Sequence, residues 1–375
     1  MEISQTLLLS FLLLFITWLL LQSSTGKNTC GGNGHGRHGI PSPPARPVVG
    51  HLHLLKKPLH RSLAALATRY GDGAGLLLLR FGARPVLLVS SPAVARECFT
   101  AHDVALAGRP AGLASRRLLP DDCPTIATAS YGPLWRQLRR LATVHALCAH
   151  RLDATAAARD AGARAMAAKL WRAGPGSAVA VKATAYEFVI NLIMAMVAGK
   201  RMRPEEVLRF KAMTEAAHAA TGAANRHDFI PALRLLDLGR TARKLAALAK
   251  ERHQFGQSLI DDYKRRRRHP TSSASEPETP RTVVGDLLRE QERSPESLDD
   301  VVIRTVCLSL LPAGTDTSSS TIERAMALLL NNPAALKAAA PQIISTVGTT
   351  RLLQEPDLAN LPYLRGIVAE TRGGE

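Results

Sequence analysis

The chain has 375 residues, 46% of them apolar, which is enough for a sizeable core and too many for a disordered chain. A formal charge of +17 at pH 7 admits nucleic acid, an anionic membrane surface or an acidic protein as partner, and does not choose among them. The five cysteines are odd in number and show no C-x-x-C pair or metal-ligand spacing, so the plain reading is a reducing compartment and no structural zinc.

From Ile3 to Thr25 no charge interrupts 23 residues, a run long enough to span a bilayer. Residues 1–25 read as a transmembrane anchor; a cleaved signal peptide is the competing reading, and it would want a basic residue where Glu2 stands. Lys27, Arg37, Arg46, Lys56 and Lys57 follow the run and no Lys or Arg precedes it, which places the body on the cytosolic side. Residues 26–50 form a flexible linker that stiffens into a proline-rich hinge at Pro41-Ser42-Pro43-Pro44-Ala45-Arg46-Pro47 and ends at Gly50.

Leu59, Leu63, Leu66 and Tyr70 share one helical face that stops at Gly71. Leu76–Phe81 and Pro85–Ser90 predict a hairpin turning around Gly82-Ala83-Arg84, and Ser91-Pro92 opens another helix. Gly132-Pro133 starts a helix that sets Trp135 and Arg139 on one face. Leu138 places Arg139 along an apolar strip, where the guanidinium either finds an anionic partner or reaches solvent and stacks on Trp135. From about residue 155 onward the chain is Ala/Leu/Arg-rich helix. The run Lys264-Arg265-Arg266-Arg267-Arg268 is the basic end of one such helix, and no zinc-finger, RNP or recognition-helix pattern accompanies it to argue for nucleic acid.

A longer helix follows, capped by Ser297 and stopping at Asn331-Asn332-Pro333, roughly 50 Å in length. Within it, Pro312-Ala313-Gly314-Thr315-Asp316-Thr317 is a run that a purely structural helix avoids, because proline, glycine and hydroxyl residues all weaken the helical ladder. One reading is a helix bent open to form a groove with an acid and hydroxyls in it; the other is a kink whose hydroxyls bond back to the preceding turn.

Ala313-Gly314-Thr315-Asp316-Thr317 resembles the oxygen-binding motif of the cytochrome P450 family, and the W-x-x-x-R spacing of Trp135 and Arg139 resembles its propionate-holding helix. His51-Leu52-His53-Leu54-Leu55 and the stretch 355–368 are similar to plant flavonoid and isoflavone hydroxylases. The resemblance implies a mainly α fold with a small β-sheet, preceded by one transmembrane helix, with residues 51–375 as the family domain lacking its C-terminal part. It implies haem b held by Trp135, Arg139, Ala313 and Gly314, with Asp316 and Thr317 delivering protons. The activity implied is NADPH- and O2-dependent hydroxylation of a small lipophilic, phenolic or flavonoid-type substrate. Electrons would come from NADPH-cytochrome P450 reductase at the endoplasmic reticulum membrane, with no nucleic acid involved. Residues 108–125 and 220–235 would shape the pocket. Two departures stand beside this. The family's buried Glu–Arg pair is three residues apart, whereas Glu370 and Arg372 are two apart, and none of the five cysteines has the sequence context of the family's thiolate loop. The alternative expectation is therefore a catalytically inactive, membrane-anchored fragment.

Overall fold

The computed structural model describes Ser10 and residues 39–71, 73–110, 118, 123–220, 226–230, 233, 237, 239–268, 281–296 and 298–373. Apart from Ser10, the expected anchor and the linker up to residue 38 lie outside the described residues, as do 111–117, 221–225 and much of the remaining pocket segments. The chain divides into two compact units, Met1–Ala114 with Ala219–Leu245, and Ser115–His218 with Ala246–Glu375.

In the first unit, helix α1 (Leu59–Tyr70) packs on an antiparallel hairpin of β1 (Leu76–Phe81) and β2 (Arg84–Val89), in register from Leu76↔Val89 to Phe81↔Arg84. Two short helices follow, α2 (Pro92–Cys98) and α3 (Asp103–Leu106). Leu77 and Leu79, two apart on β1, bury against Leu66 of α1, with Leu63, Phe81 and Val86 closing the cluster. Gly82 at the hairpin turn is required twice over. Its φ is +58°, and a Cβ there would stand 2.0 Å from the carbonyl oxygen of Phe229. That close approach lets the Ala83 N–H donate to the same oxygen at 2.8 Å while the Phe229 ring packs edge-on against Phe81.

The proline-rich segment runs beside β1. The Leu78 N–H donates to the Pro41 carbonyl at 2.9 Å, and buried His51 ties the segment down. Its Nδ1 accepts the Arg80 N–H at 2.7 Å, and its Nε2 lies 2.8 Å from the Pro43 carbonyl oxygen, which can only accept. One ring nitrogen accepts and the other donates, so the imidazole is neutral with the proton on Nε2. Burial pushes its pKa below the ordinary 6.5. With the folded value below the unfolded one, the contribution to stability is complete above about pH 6.5 and is lost as pH falls through the folded value. Urea unfolding across pH is therefore expected to show an acid-side loss of stability. His51→Phe should cost about 2 kcal/mol at pH 7.5, at roughly 1 kcal/mol per lost hydrogen bond, and flatten that acid-side loss.

The second unit is helical: α4 (Pro133–Ala142), α5 (Ala149–Ala154), α6 (Ala156–Arg172), α7 (Val181–Ala198), α8 (Pro204–Ala220), most of α9 (Arg240–Arg268), α10 (Val283–Arg293), α11 (Asp300–Asn331), α12 (Pro333–Val347) and α13 (Pro362–Gly373). Its frame is α7 lying along α11, with α6 against α7 and with α4, α10 and α13 against α11. α7 is long and apolar enough to cross a membrane, but half of its residues are buried, Ala185, Val189, Ile190, Met194 and Val197 among them, so it is a core helix. Its C-terminal carbonyls are closed by Arg266, which donates to Ala198 O at 2.6 Å and to Gly199 O at 3.2 Å. Lys264 reaches Asp300 at 2.9 Å and Arg267 pairs with Glu292, so with Arg266 three residues of the basic run are taken up by neighbouring helices.

Two expectations for the long helix are corrected. The capping residue is Asp299, whose Oδ1 accepts the Val302 N–H at 2.8 Å, and Ser297 lies outside the described residues. The helix is also not opened at Pro312. It runs unbroken from Asp300 to Asn331, with Thr315 Oγ1 donating to Leu311 O at 2.6 Å and Thr317 Oγ1 to Ala313 O at 2.7 Å. Back-bonding of the hydroxyls onto the preceding turn, together with packing on α7, holds the helix across a sequence of poor propensity.

Candidate active site

One turn of α11 separates Ala313 from Thr317, so the two share a helical face, and both are exposed. Gly314 is rotated off that face toward α7. A Cβ at Gly314 would meet Ile193 Cδ1 at 3.1 Å, tighter than an ordinary van der Waals contact, so the glycine sets how near α7 approaches. Asp316 points elsewhere again. Its Oδ2 lies 3.7 Å from Nδ1 of His218 on α8, and Lys211, Glu215 and His218 of α8 and Tyr186 of α7 are the charged and titratable groups within electrostatic reach. Partial burial raises the Asp316 carboxyl above the usual range; His218 and Lys211 pull it back and Glu215 adds to the rise. A carboxyl poised in this way gives up and retakes a proton closer to neutrality than an exposed one.

The tight contact at Gly314 predicts that Gly314→Val overpacks against Ile193 and destabilises by about 1–3 kcal/mol, and that adding Ile193→Ala recovers part of the loss in a denaturation double-mutant cycle. The raised Asp316 carboxyl predicts that Asp316→Asn leaves the protein at least as stable at pH 7. The folded state binds that proton more readily than the unfolded state, so the charged form is the one folding disfavours, and thermal melting checks the sign.

On α4, the Gly-Pro start and the Trp135 side chain fix the helix entry. Trp135 Nε1 donates to Ile126 O at 3.1 Å and its ring packs against Tyr131 at 5.5 Å. The Trp135 N–H is thus already used within the chain. Leu138 is fully buried and Arg139, the next residue, is exposed, so the guanidinium is not held in an apolar strip. Arg136 takes the place over the Tyr131 ring, and the Arg139 side chain has no hydrogen-bond or ion-pair partner among the described residues. It is therefore free to bind an anion.

The fit of a haem to these residues is divided. An unspent Arg139 on a helix packed against α11, the small exposed Ala313, and Thr317 beside a poised Asp316 suit the propionate and proton-bearing edges of the group. Among the described residues a thiolate donor is not evident. Cys307 is fully buried, with burial pushing its thiol up to about 12, and Cys148 Sγ donates to Val144 O at 3.2 Å. Cys30 lies outside the described residues, and no group of three His, Cys, Asp or Glu side chains that could hold a metal occurs among the described ones. Glu370 and Arg372 are both exposed and make no ion pair with each other among the described residues.

The partners of Asp316 and Gly314 were not anticipated. Lys211, Glu215, His218, Tyr186 and Ile193 come from helices distant in sequence, and no local pattern marks them. Residues 40–371 match the family model for Cytochrome P450. The isoflavone 3'-hydroxylase of Medicago truncatula is 36% identical over 344 residues, covering 88% of this chain and 66% of its own length. The isoflavone 2'-hydroxylase of the same plant is 33% identical over 367 residues, covering 95% and 69%. The (+)-piperitol/(+)-sesamin synthase of Sesamum radiatum is 36% identical over 340 residues, covering 88% and 64%. The chain spans about two thirds of the length of the curated relatives it matches.

Proposed function

Because the chain belongs to the cytochrome P450 family, we propose that the protein is a haem-dependent monooxygenase that hydroxylates a small lipophilic substrate of phenolic or flavonoid type. The observation that carries this reading is the open face of α11 at Ala313 and Thr317 with the poised carboxyl of Asp316 beside it. The relatives named for isoflavone hydroxylation support the substrate class. When bound, a haem supplies the activation of dioxygen, with a thiolate ligand favouring cleavage of the O–O bond.

The chain's own residues take these parts. Arg139 holds a propionate through a charge-assisted hydrogen bond, and Trp135 orients the start of the helix that carries it. Ala313 keeps the face small. Gly314 lets α7 support the helix from the opposite side. Asp316 takes up protons from the solvent side of α8 through its contact with His218, and Thr317 presents a hydroxyl on the reacting face once its bond to Ala313 O is exchanged. Electrons come from NADPH through a flavoprotein reductase, and the strongly basic chain suits an acidic docking face. The uncharged N-terminal run anchors the protein in the endoplasmic reticulum membrane with its body in the cytosol.

A second reading, a membrane-anchored chain without turnover of its own, is favoured by the burial that keeps Cys307 protonated and by the sequence context of the five cysteines, none of which matches the family's thiolate loop. The absorption spectrum of the reduced, carbon-monoxide-treated chain decides between them. A thiolate-type Soret band is expected for the monooxygenase, and failure to take up haem establishes the second reading. Given that band, Asp316→Asn should lower kcat about 10²-fold or more, while the spectrum stays unchanged.

A further inference from the structure

A cleft of about 420 Å³ opens between the segment that follows α4, helix α5 and helix α10, and it takes no part in the site on α11. Five arginines line it against two carboxylates, Asp286 and Glu290. Both carboxylates are consumed within the fold. Asp286 pairs with buried Arg151 and with Arg289. Glu290 takes Arg140 at 2.9 Å and His145 at 2.7 Å, and these contacts outweigh its partial burial to hold the carboxyl below its usual range.

What remains is positive. Arg281, Arg293 and His150 face the same cleft, all are exposed, and none of the three side chains has a hydrogen-bond or ion-pair partner among the described residues. The crowding already acts inside the fold: burial and then the charge of Arg281 lower the pKa of Arg151, the signature of cations without enough counter-charge. Arg281 also stands two residues before the first residue of α10, whose N-terminal end adds positive potential. The excess of three charges, before either histidine is protonated, exceeds what one phosphoryl group carries at pH 7, about −1.5 to −2, and suits two joined ones. Arginine forks match phosphoryl oxygens two at a time.

We propose that this cleft is an anion site for a ligand bearing two adjacent phosphoryl groups, gripped by Arg281 and Arg293 with His150 at its edge. The same chemistry could come from a soluble diphosphate or from phospholipid headgroups presented side by side, and the test separates the two.

Isothermal titration of the full chain in non-ionic detergent with inorganic pyrophosphate, and flotation with phosphatidic-acid vesicles, are compared for the native chain, Arg281→Gln/Arg293→Gln, and the control Arg172→Gln/Lys337→Gln. The control removes the same charge from exposed positions outside the cleft. The native chain is expected to bind pyrophosphate at least tenfold more tightly than the Arg281→Gln/Arg293→Gln chain, with the control unchanged, which assigns the site to a soluble ligand. Capture by vesicles alone, lost in Arg281→Gln/Arg293→Gln and kept in the control, assigns it to lipid headgroups. No binding of either probe, an equal loss in the control, or citrate binding as tightly as pyrophosphate overturns the proposal. Equal melting temperatures of the three chains show that the exchanged side chains are not needed for folding, and none of these readouts depends on haem or turnover.

Discussion

The packing of α7 along α11 is the contact on which the second unit depends. α11 carries a proline, a glycine and a run of hydroxyl residues near its middle, and alone it would break there. An apolar α7 laid along it supplies burial that outweighs the weak propensity, since in proteins tertiary packing provides most helical stability. The tight approach of Ile193 to Gly314 then fixes how α11 is rotated about its axis. With Gly314 turned to α7, helical geometry sends Ala313 and Thr317 to the exposed side and Asp316 toward α8. The division of roles among neighbouring residues follows from one interhelical contact.

The charge of the chain is put to three different uses. Some of it closes helix ends, as Arg266 does at the end of α7. Some joins helices, through Lys264 and Asp300, Arg267 and Glu292, and the buried pair of Arg151 with Asp286. Among the cations without an internal partner in the described residues, Arg139 lies on α4 and Arg281 and Arg293 line the cleft. A net charge reported for the whole chain conceals this. Surface cations already paired contribute little to attraction, whereas unpaired ones in a cleft concentrate it.

Local signals were legible wherever a single element satisfied them. The hairpin strand Leu76–Phe81 and its return strand, the turn at Gly82-Ala83, the stop at Gly71 and the Gly132-Pro133 start all appear where the residues indicate, because strand propensity and turn geometry act over a few positions. Arg139 misled for the opposite reason. Its neighbours in the sequence suggested an apolar strip, but Leu138, Leu141 and Ala142 turn inward and the arginine is left in solvent, the other outcome its sequence allowed. The supposed opening at Pro312 misled in the same way, because propensity says nothing of the helix that will lie alongside.

Composition and short-range pattern were therefore sufficient for a mainly helical chain with one hairpin, and the resemblance carried by Ala313 to Thr317 and by the Trp135 and Arg139 spacing pointed to the family to which it belongs. They were sufficient because each is written in residues a few positions apart. Which face of α11 stays open, that Asp316 answers to His218, that the Trp135 N–H is spent on Ile126, and which arginines are left over required the tertiary structure. Each of these turns on a partner brought from a distant segment, and partners set both the orientation of a helix and the charge state of what it carries.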